Sequence, residues 1–126
     1  MSGNPLSVLL VDDDPYVCDI CHLIFQHHQL PLVTASNANT ALDYLAENIA
    51  DIIILDLFLP DMDGYRVLDV IRQLPQGHQY KVIATTAYYT NDTVQEIIDR
   101  GFDGYLPKPL QADGLIDYLY SVAAKD

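Results

Sequence analysis

The segment Ile52-Ile53-Ile54-Leu55-Asp56-Leu57-Phe58-Leu59-Pro60-Asp61-Met62-Asp63-Gly64 carries more architectural information than any other part of this chain. Four apolar residues in succession, three of them β-branched, predict a short strand covered on both faces, because a strand with one wet face alternates instead. The run ends on a carboxylate. Pro60 to Gly64 then reads as a loop, and Val67, Leu68 and Ile71 recur at helical steps until the helix stops near Pro75. An unpaired charge at the end of a central strand is costly unless it is used, which makes Asp56 a candidate site residue.

The same alternation repeats on both sides of this unit. Leu6 to Val11 is an apolar run that ends at Asp12, Asp13 and Asp14, and Pro15 suits the first turn of the helix that follows. That helix presents Val17, Ile20, Cys21, Ile24 and Phe25 as one stripe. Leu32 to Ala35 predicts a second strand, and Asn37 caps a helix with Ala38, Ala41, Leu42 and Leu45 inward. Lys81 to Thr85 predicts the fourth strand, and Thr90 or Asn91 caps a helix with Val94, Ile97 and Ile98 on its inner face, closed by Gly101. Tyr105 and Leu106 form a short fifth strand. Beyond Pro107-Lys108-Pro109, the positions Leu115, Ile116, Leu119 and Val122 mark a last amphipathic helix ending near Ala123.

Five strands alternating with five helices at short connections predict an α/β, flavodoxin-like (βα)5 doubly wound sandwich, a parallel five-stranded sheet in order 2-1-3-4-5. A chain of 126 residues suits a single domain over 1–126, with its core over 6–123. In such sheets ligands gather at the carboxyl ends of the strands. Those ends carry Asp12 to Asp14, Asp56, Thr85, Thr86 and Lys108.

Charge narrows the function classes. Eighteen acidic against six basic side chains give a formal charge of -12, a field that disfavours direct binding to nucleic acid or anionic membranes. No apolar run reaches membrane-span length and no targeting signal opens the chain, so a cytoplasmic location is expected. Cys18 and Cys21 stand three apart on a predicted helix and are read as reduced core residues. Cys18-Asp19-Ile20-Cys21-His22 matches a haem-attachment pattern, but its place on a periodic apolar face argues against haem. His27 and His28 at the end of that helix, and Gly77 and His78 in a loop, receive no role.

Acids at the ends of neighbouring strands only ~5 Å apart repel, which raises a pKa or recruits a cation. Mg²⁺, or Mn²⁺ in its place, fits Asp13 and Asp56 with Asp12 nearby, since it takes one or two carboxylates, waters and a phosphate oxygen. Asp14, ahead of Pro15, reads as a helix cap instead. Lys108 faces the same rim and can pair with a phosphate oxygen as a point charge. Either Thr85 or Thr86 offers a hydroxyl there, against the plain alternative of ordinary strand composition.

From Leu6 to about Ala123 the chain resembles the receiver domains of two-component response regulators. The resemblance rests on Val8-Leu9-Leu10-Val11-Asp12-Asp13-Asp14-Pro15, Ile53 to Gly64, Val82-Ile83-Ala84-Thr85-Thr86-Ala87 and Gly101-Phe102-Asp103-Gly104-Tyr105-Leu106-Pro107-Lys108-Pro109. It implies that Asp56 is the phosphoacceptor, and that Asp12, Asp13, Asp56 and the backbone carbonyl of Phe58 hold Mg²⁺. Thr86, preferred to Thr85 because small Ala87 follows it, and Lys108 then grip the phosphoryl oxygens, and Thr86 with Tyr105 form the switch.

The resemblance also implies a phosphohistidine donor on a sensor histidine kinase or a histidine phosphotransfer protein. The response it implies is a changed surface on the fourth helix, fifth strand and fifth helix, for an unknown downstream protein or a second copy of the chain, with Tyr88 and Tyr89 as candidate contacts. Such a domain is not an enzyme on other substrates; it catalyses only its own phosphorylation and dephosphorylation. Bulky Phe58 and Tyr88 line the approach of water, so slow dephosphorylation is expected.

Two rival readings remain. A scaffold that is never phosphorylated usually lacks an acid, the hydroxyl or the lysine, and all are present. A phosphatase with Asp56 as nucleophile typically carries an acid two residues later, where Phe58 stands. Gly104, in place of a common acid, and the large Tyr88 depart mildly from the family pattern.

Overall fold

The computed structural model describes residues 5–88 and 90–125. Its order is β1 (Val8–Val11), α1 (Pro15–His27), β2 (Leu32–Ala35), α2 (Ala38–Glu47), β3 (Ile52–Asp56), α3 (Gly64–Arg72), β4 (Lys81–Thr86), α4 (Asn91–Asp99), β5 (Gly104–Pro107) and α5 (Leu115–Ala123). The strands form one parallel sheet, β2-β1-β3-β4-β5, as predicted. β1 begins two residues later than its apolar run, since Leu6 is buried but unpaired in the sheet, and β3 and β4 each extend one residue further. No helix among the described residues is long and apolar enough to cross a membrane.

Strand residues alternate between two cores. Leu9, Val11, Ile53, Leu55, Val82 and Ala84 pack under α2, α3 and α4, through residues such as Ala41, Leu68 and Ile97. Val8, Leu10, Ile52, Ile54 and Ile83 pack under α1 and α5, against Phe25 and Leu119. Both faces are therefore dry, which is why the central strands read as unbroken apolar runs. Continuing the alternation past the last apolar residue puts Asp56 and its register partner Thr85 on the α1/α5 side, and Thr86 on the other side with Ala84 and Tyr105.

The predicted caps form: Asp14 accepts from the Tyr16 N–H, Asn37 from Thr40 and Thr90 from Thr93. Asp63, read from the sequence only as part of a loop, caps α3 by accepting from the Tyr65 N–H. Gly101 adopts φ 102°, a left-handed backbone that favours glycine. One inward assignment is corrected: Ile98 is 56% exposed, while Ile97 is fully buried and Val94 half-buried. A nine-residue helix at the edge of the sheet presents a narrow stripe, and Ile98 falls one position past it. Leu42 is likewise only partly buried.

Gly77 also has a role that its sequence context did not announce. A Cβ there would stand 2.1 Å from the Ile71 carbonyl oxygen, so the chain after α3 closes tightly only because no side chain is present. Cys21 faces the α1/α5 core, where burial pushes its thiol up to about 12, and the Cys18 thiol donates to the Asp12 carbonyl at 3.5 Å.

Candidate metal and phosphoacceptor site

Three connections at the carboxyl rim bring the charged residues together. The end of β1 delivers Asp12, whose backbone N–H donates to Ala35 O at 3.0 Å and whose Oδ1 accepts from the Asp14 N–H at 2.9 Å. The end of β3 delivers Asp56, whose Oδ1 accepts from the Phe58 N–H at 3.0 Å. The end of β5 delivers Lys108, whose backbone N–H donates to Thr86 O at 3.0 Å. Each buried carboxylate is thus anchored by one oxygen to its own loop, and the other oxygen is left to face the cation.

Lys108 Nζ occupies that gap. It lies 2.9 Å from Asp12 Oδ2 and 3.1 Å from Asp56 Oδ2. With Asp56 the contact is a hydrogen bond; with Asp12 it is an ion pair off the hydrogen-bonding direction, and Asp12 Oδ2 has no directed partner among the described residues. Burial holds the Asp56 carboxyl above its usual range and the Asp12 charge adds to this, against the pull of the Phe58 N–H and Lys108. Burial alone would lower the Lys108 ammonium, but the two carboxylates more than offset it and raise its pKa. One cation serves two buried anions, so the site carries excess negative charge.

Asp13 adds to that excess from the exposed side. One oxygen from each of Asp12, Asp13 and Asp56 lies within 4.8 Å of the other two. Ligands on one octahedral Mg²⁺ stand ~3 Å apart when adjacent and ~4.2 Å when opposite, so the three carboxylates would draw together by up to about 2 Å to share one ion. The donor set consists of hard oxygens, and among the described residues Asp12 Oδ2 is a buried oxygen met by the Lys108 charge but by no directed hydrogen bond. These residues fit a small divalent cation.

The threonines divide. Thr86 Oγ1 accepts from the Tyr88 N–H at 3.0 Å and contacts Tyr88 O at 3.4 Å, so its hydroxyl is engaged by its own loop and not by Asp56. Thr85 is wholly buried, and its Oγ1 has no hydrogen-bond partner among the described residues. Tyr105 is half-buried on the Thr86 side, with its N–H donating to Tyr118 Oη at 3.1 Å.

Phe58 and Tyr88 stand 62% and 75% exposed at the mouth of the site, their rings edge to face at 5.7 Å between centroids. Asp14 is a cap, as its position before Pro15 indicated. The suggested contact role of Tyr89 falls outside the described residues.

This arrangement agrees with what comparison finds. Residues 8–120 match the response regulator receiver domain family, and the chain belongs to it. An uncharacterized 14.6 kDa protein of Leptolyngbya boryana is 32% identical over 88% of this chain and 85% of its own length. Signal transduction histidine-protein kinase BarA of Escherichia coli K12 is 28% identical over 90% of this chain, which spans only 12% of that kinase.

Among solved structures, chemotaxis response regulator CheY4 of Vibrio cholerae matches with a TM-score of 0.86 at 25% identity, over 94% of this chain and 99% of that one. The receiver domain of sensor histidine kinase PA1611 from Pseudomonas aeruginosa PAO1, which has a magnesium ion coordinated in its active-site cleft, shares the fold. Its TM-score is 0.86 at 23% identity, over 97% of this chain and 100% of that one. Receiver domains of two-component systems take their phosphoryl groups from sensor histidine kinases, and this chain is such a domain.

Proposed function

We propose that this receiver domain accepts a phosphoryl group on Asp56 from a phosphohistidine of a sensor histidine kinase or histidine phosphotransfer protein, in the cytoplasm. The observation that carries the reading is the sharing of one ammonium, Lys108, between two buried carboxylates, with a third at the rim. A site with excess negative charge and fixed oxygens is prepared for a divalent cation and for an electrophile bearing its own oxygens.

Asp12, Asp13, Asp56 and the backbone carbonyl of Phe58 would hold Mg²⁺ or Mn²⁺. When bound, the ion supplies neutralising charge for the phosphoryl oxygens.

The chain's own groups account for the rest. Asp56 Oδ1 is fixed by the Phe58 N–H, so Oδ2 is the nucleophile; it bonds to phosphorus as the bond from phosphorus to the donor imidazole nitrogen breaks and that nitrogen keeps the electron pair. Lys108, already 3.1 Å from Oδ2, follows the charge onto the phosphoryl oxygens. Thr86 must leave Tyr88 to donate to the phosphoryl group. That exchange of partners, with Tyr105 packed on the same side, changes the surface of α4, β5 and α5 for a downstream partner.

The domain serves no other substrate, and the paired rings of Phe58 and Tyr88 slow the approach of water to the acyl phosphate. Incubation with Mg²⁺ and acetyl phosphate, followed by intact mass, tests the reading: wild type should gain one phosphate, while Asp56→Asn and chelated wild type gain none. Unmodified wild type would instead favour a phosphorylation-independent scaffold, and loss of the phosphate within seconds would remove the role given to Phe58 and Tyr88.

A further inference from the structure

The loop that carries Phe58 does not hang free. Its base is closed by the Gly64 N–H donating to Leu57 O at 3.0 Å and by an antiparallel bridge between Phe58 and Asp63. Gly64 allows this, since a Cβ there would stand 2.6 Å from Leu57 Cα. The far end of the loop is held from a different element. Asp61 Oδ1 accepts from the Ala38 N–H at 2.9 Å and Asp61 Oδ2 from the Asn39 N–H at 3.0 Å, more than twenty residues away in sequence.

These bonds complete the start of α2. A helix begins with N–H groups that lack intrahelical partners. Here Asn37 takes Thr40, and Asp61 takes the two before it. The Ala38 N–H is the main reason the Asp61 carboxyl lies below its usual range, although it is exposed to water. The neighbouring Ala35 carbonyl receives the Asp12 N–H. The backbone of Ala35, Ala38 and Asn39 therefore grips two ligand-bearing loops at once: the Asp12 loop through a backbone bond and the Phe58 loop through Asp61.

We infer that Asp61 is a positioning residue for the metal site, holding the Phe58 loop in register with Asp12 through the first turn of α2. The inference rests on the metal reading proposed above. Asp61 touches neither metal nor phosphoryl group; it sets where a ligand carbonyl stands. Nothing in the local sequence signals this, because the pairing of Asp61 with residues 38 and 39 exists only once β2, α2 and β3 are assembled.

The test is Mn²⁺ affinity by calorimetry or by the electron paramagnetic resonance of free Mn²⁺, with no phosphodonor present. Asp61→Ala should weaken binding roughly ten-fold, as supporting groups of metal sites do. Asp61→Asn, which keeps one acceptor oxygen, should fall between Asp61→Ala and wild type. Asn37→Ala is the control: it removes a cap from the same helix and lowers the melting temperature by a few degrees, but should bind Mn²⁺ as wild type does.

Wild-type affinity in Asp61→Ala, or equal weakening in Asn37→Ala, overturns the inference while the metal reading stands. Wild type that binds no Mn²⁺, or Asp13→Asn that binds it as tightly as wild type, removes the metal reading and this inference with it.

Discussion

Arg72 and Lys108 are the cations of two ion-paired assemblies at opposite ends of the sheet, and they are built on opposite rules. Arg72, at the end of α3, donates to Gly77 O at 2.9 Å, Tyr80 O at 2.6 Å, Gly101 O at 3.2 Å and Asp103 Oδ2 at 3.0 Å. One carboxylate and three carbonyls meet one guanidinium, and Asp103 turns the same oxygen to the Val82 N–H at 2.8 Å. Charge is balanced and every bond joins separate segments, so this end is a clamp. At the other end one ammonium faces two buried carboxylates and a third on the rim, so charge is left over. A saturated cluster holds structure, whereas one with unmet charge waits for a ligand.

Substitutions should separate the two ends, and the largest effect belongs to the clamp. Arg72→Met should lower stability by about 2–4 kcal/mol, because it strands partly buried carbonyls and Asp103 together. Denaturant melts measure this, and the folded fraction should still take phosphate on Asp56. Loss of phosphorylation in folded Arg72→Met would blur the distinction.

At the site the sign reverses. Because burial raises the Asp56 carboxyl in the folded chain, the folded state binds that proton more tightly than the unfolded state, and ionising Asp56 costs stability as pH rises through the folded value. Asp56→Asn should therefore be more stable than wild type at neutral pH. That advantage should shrink as pH falls and the wild-type carboxyl becomes protonated. Mg²⁺ should narrow the gap too, by stabilising wild type more than the variant. A variant less stable than wild type at pH 7 would mean the cluster is already balanced.

The smallest effect concerns the wholly buried Thr85 hydroxyl, which lacks a partner among the described residues. Thr85→Val keeps the shape and removes a desolvated polar atom, so stability should rise by about 0.5 kcal/mol. The same replacement at Thr86, whose hydroxyl is bonded to Tyr88, should lower it. Equal responses at the two positions would mean that strand alternation does not separate them.

Much of this was legible in the chain. The run Ile52 to Leu55 announced a strand buried on both faces, and its carboxylate ending announced the site, because unbroken apolar pattern and costly charge are local properties. The caps Asp14, Asn37 and Thr90 were legible for the same reason. Ile98 misled because a short helix on a sheet edge buries a narrower stripe than its periodicity suggests. Gly77 and Asp61 stayed silent since their partners, the Ile71 and Arg72 backbone and residues 38 and 39, become neighbours only on folding.

Residue order alone determined the alternation of strands and helices, the strand ends to within a residue or two and the residue types gathered there, since these follow from hydrophobic period and local turn chemistry. Only assembly decided which oxygen of each acid is held by its loop, that a single ammonium is shared between Asp12 and Asp56, and which side of the sheet Thr85 and Thr86 each face. Those facts depend on how segments as far apart in the chain as Asp12 and Lys108 come together, and a pattern read along one segment contains no measure of that distance.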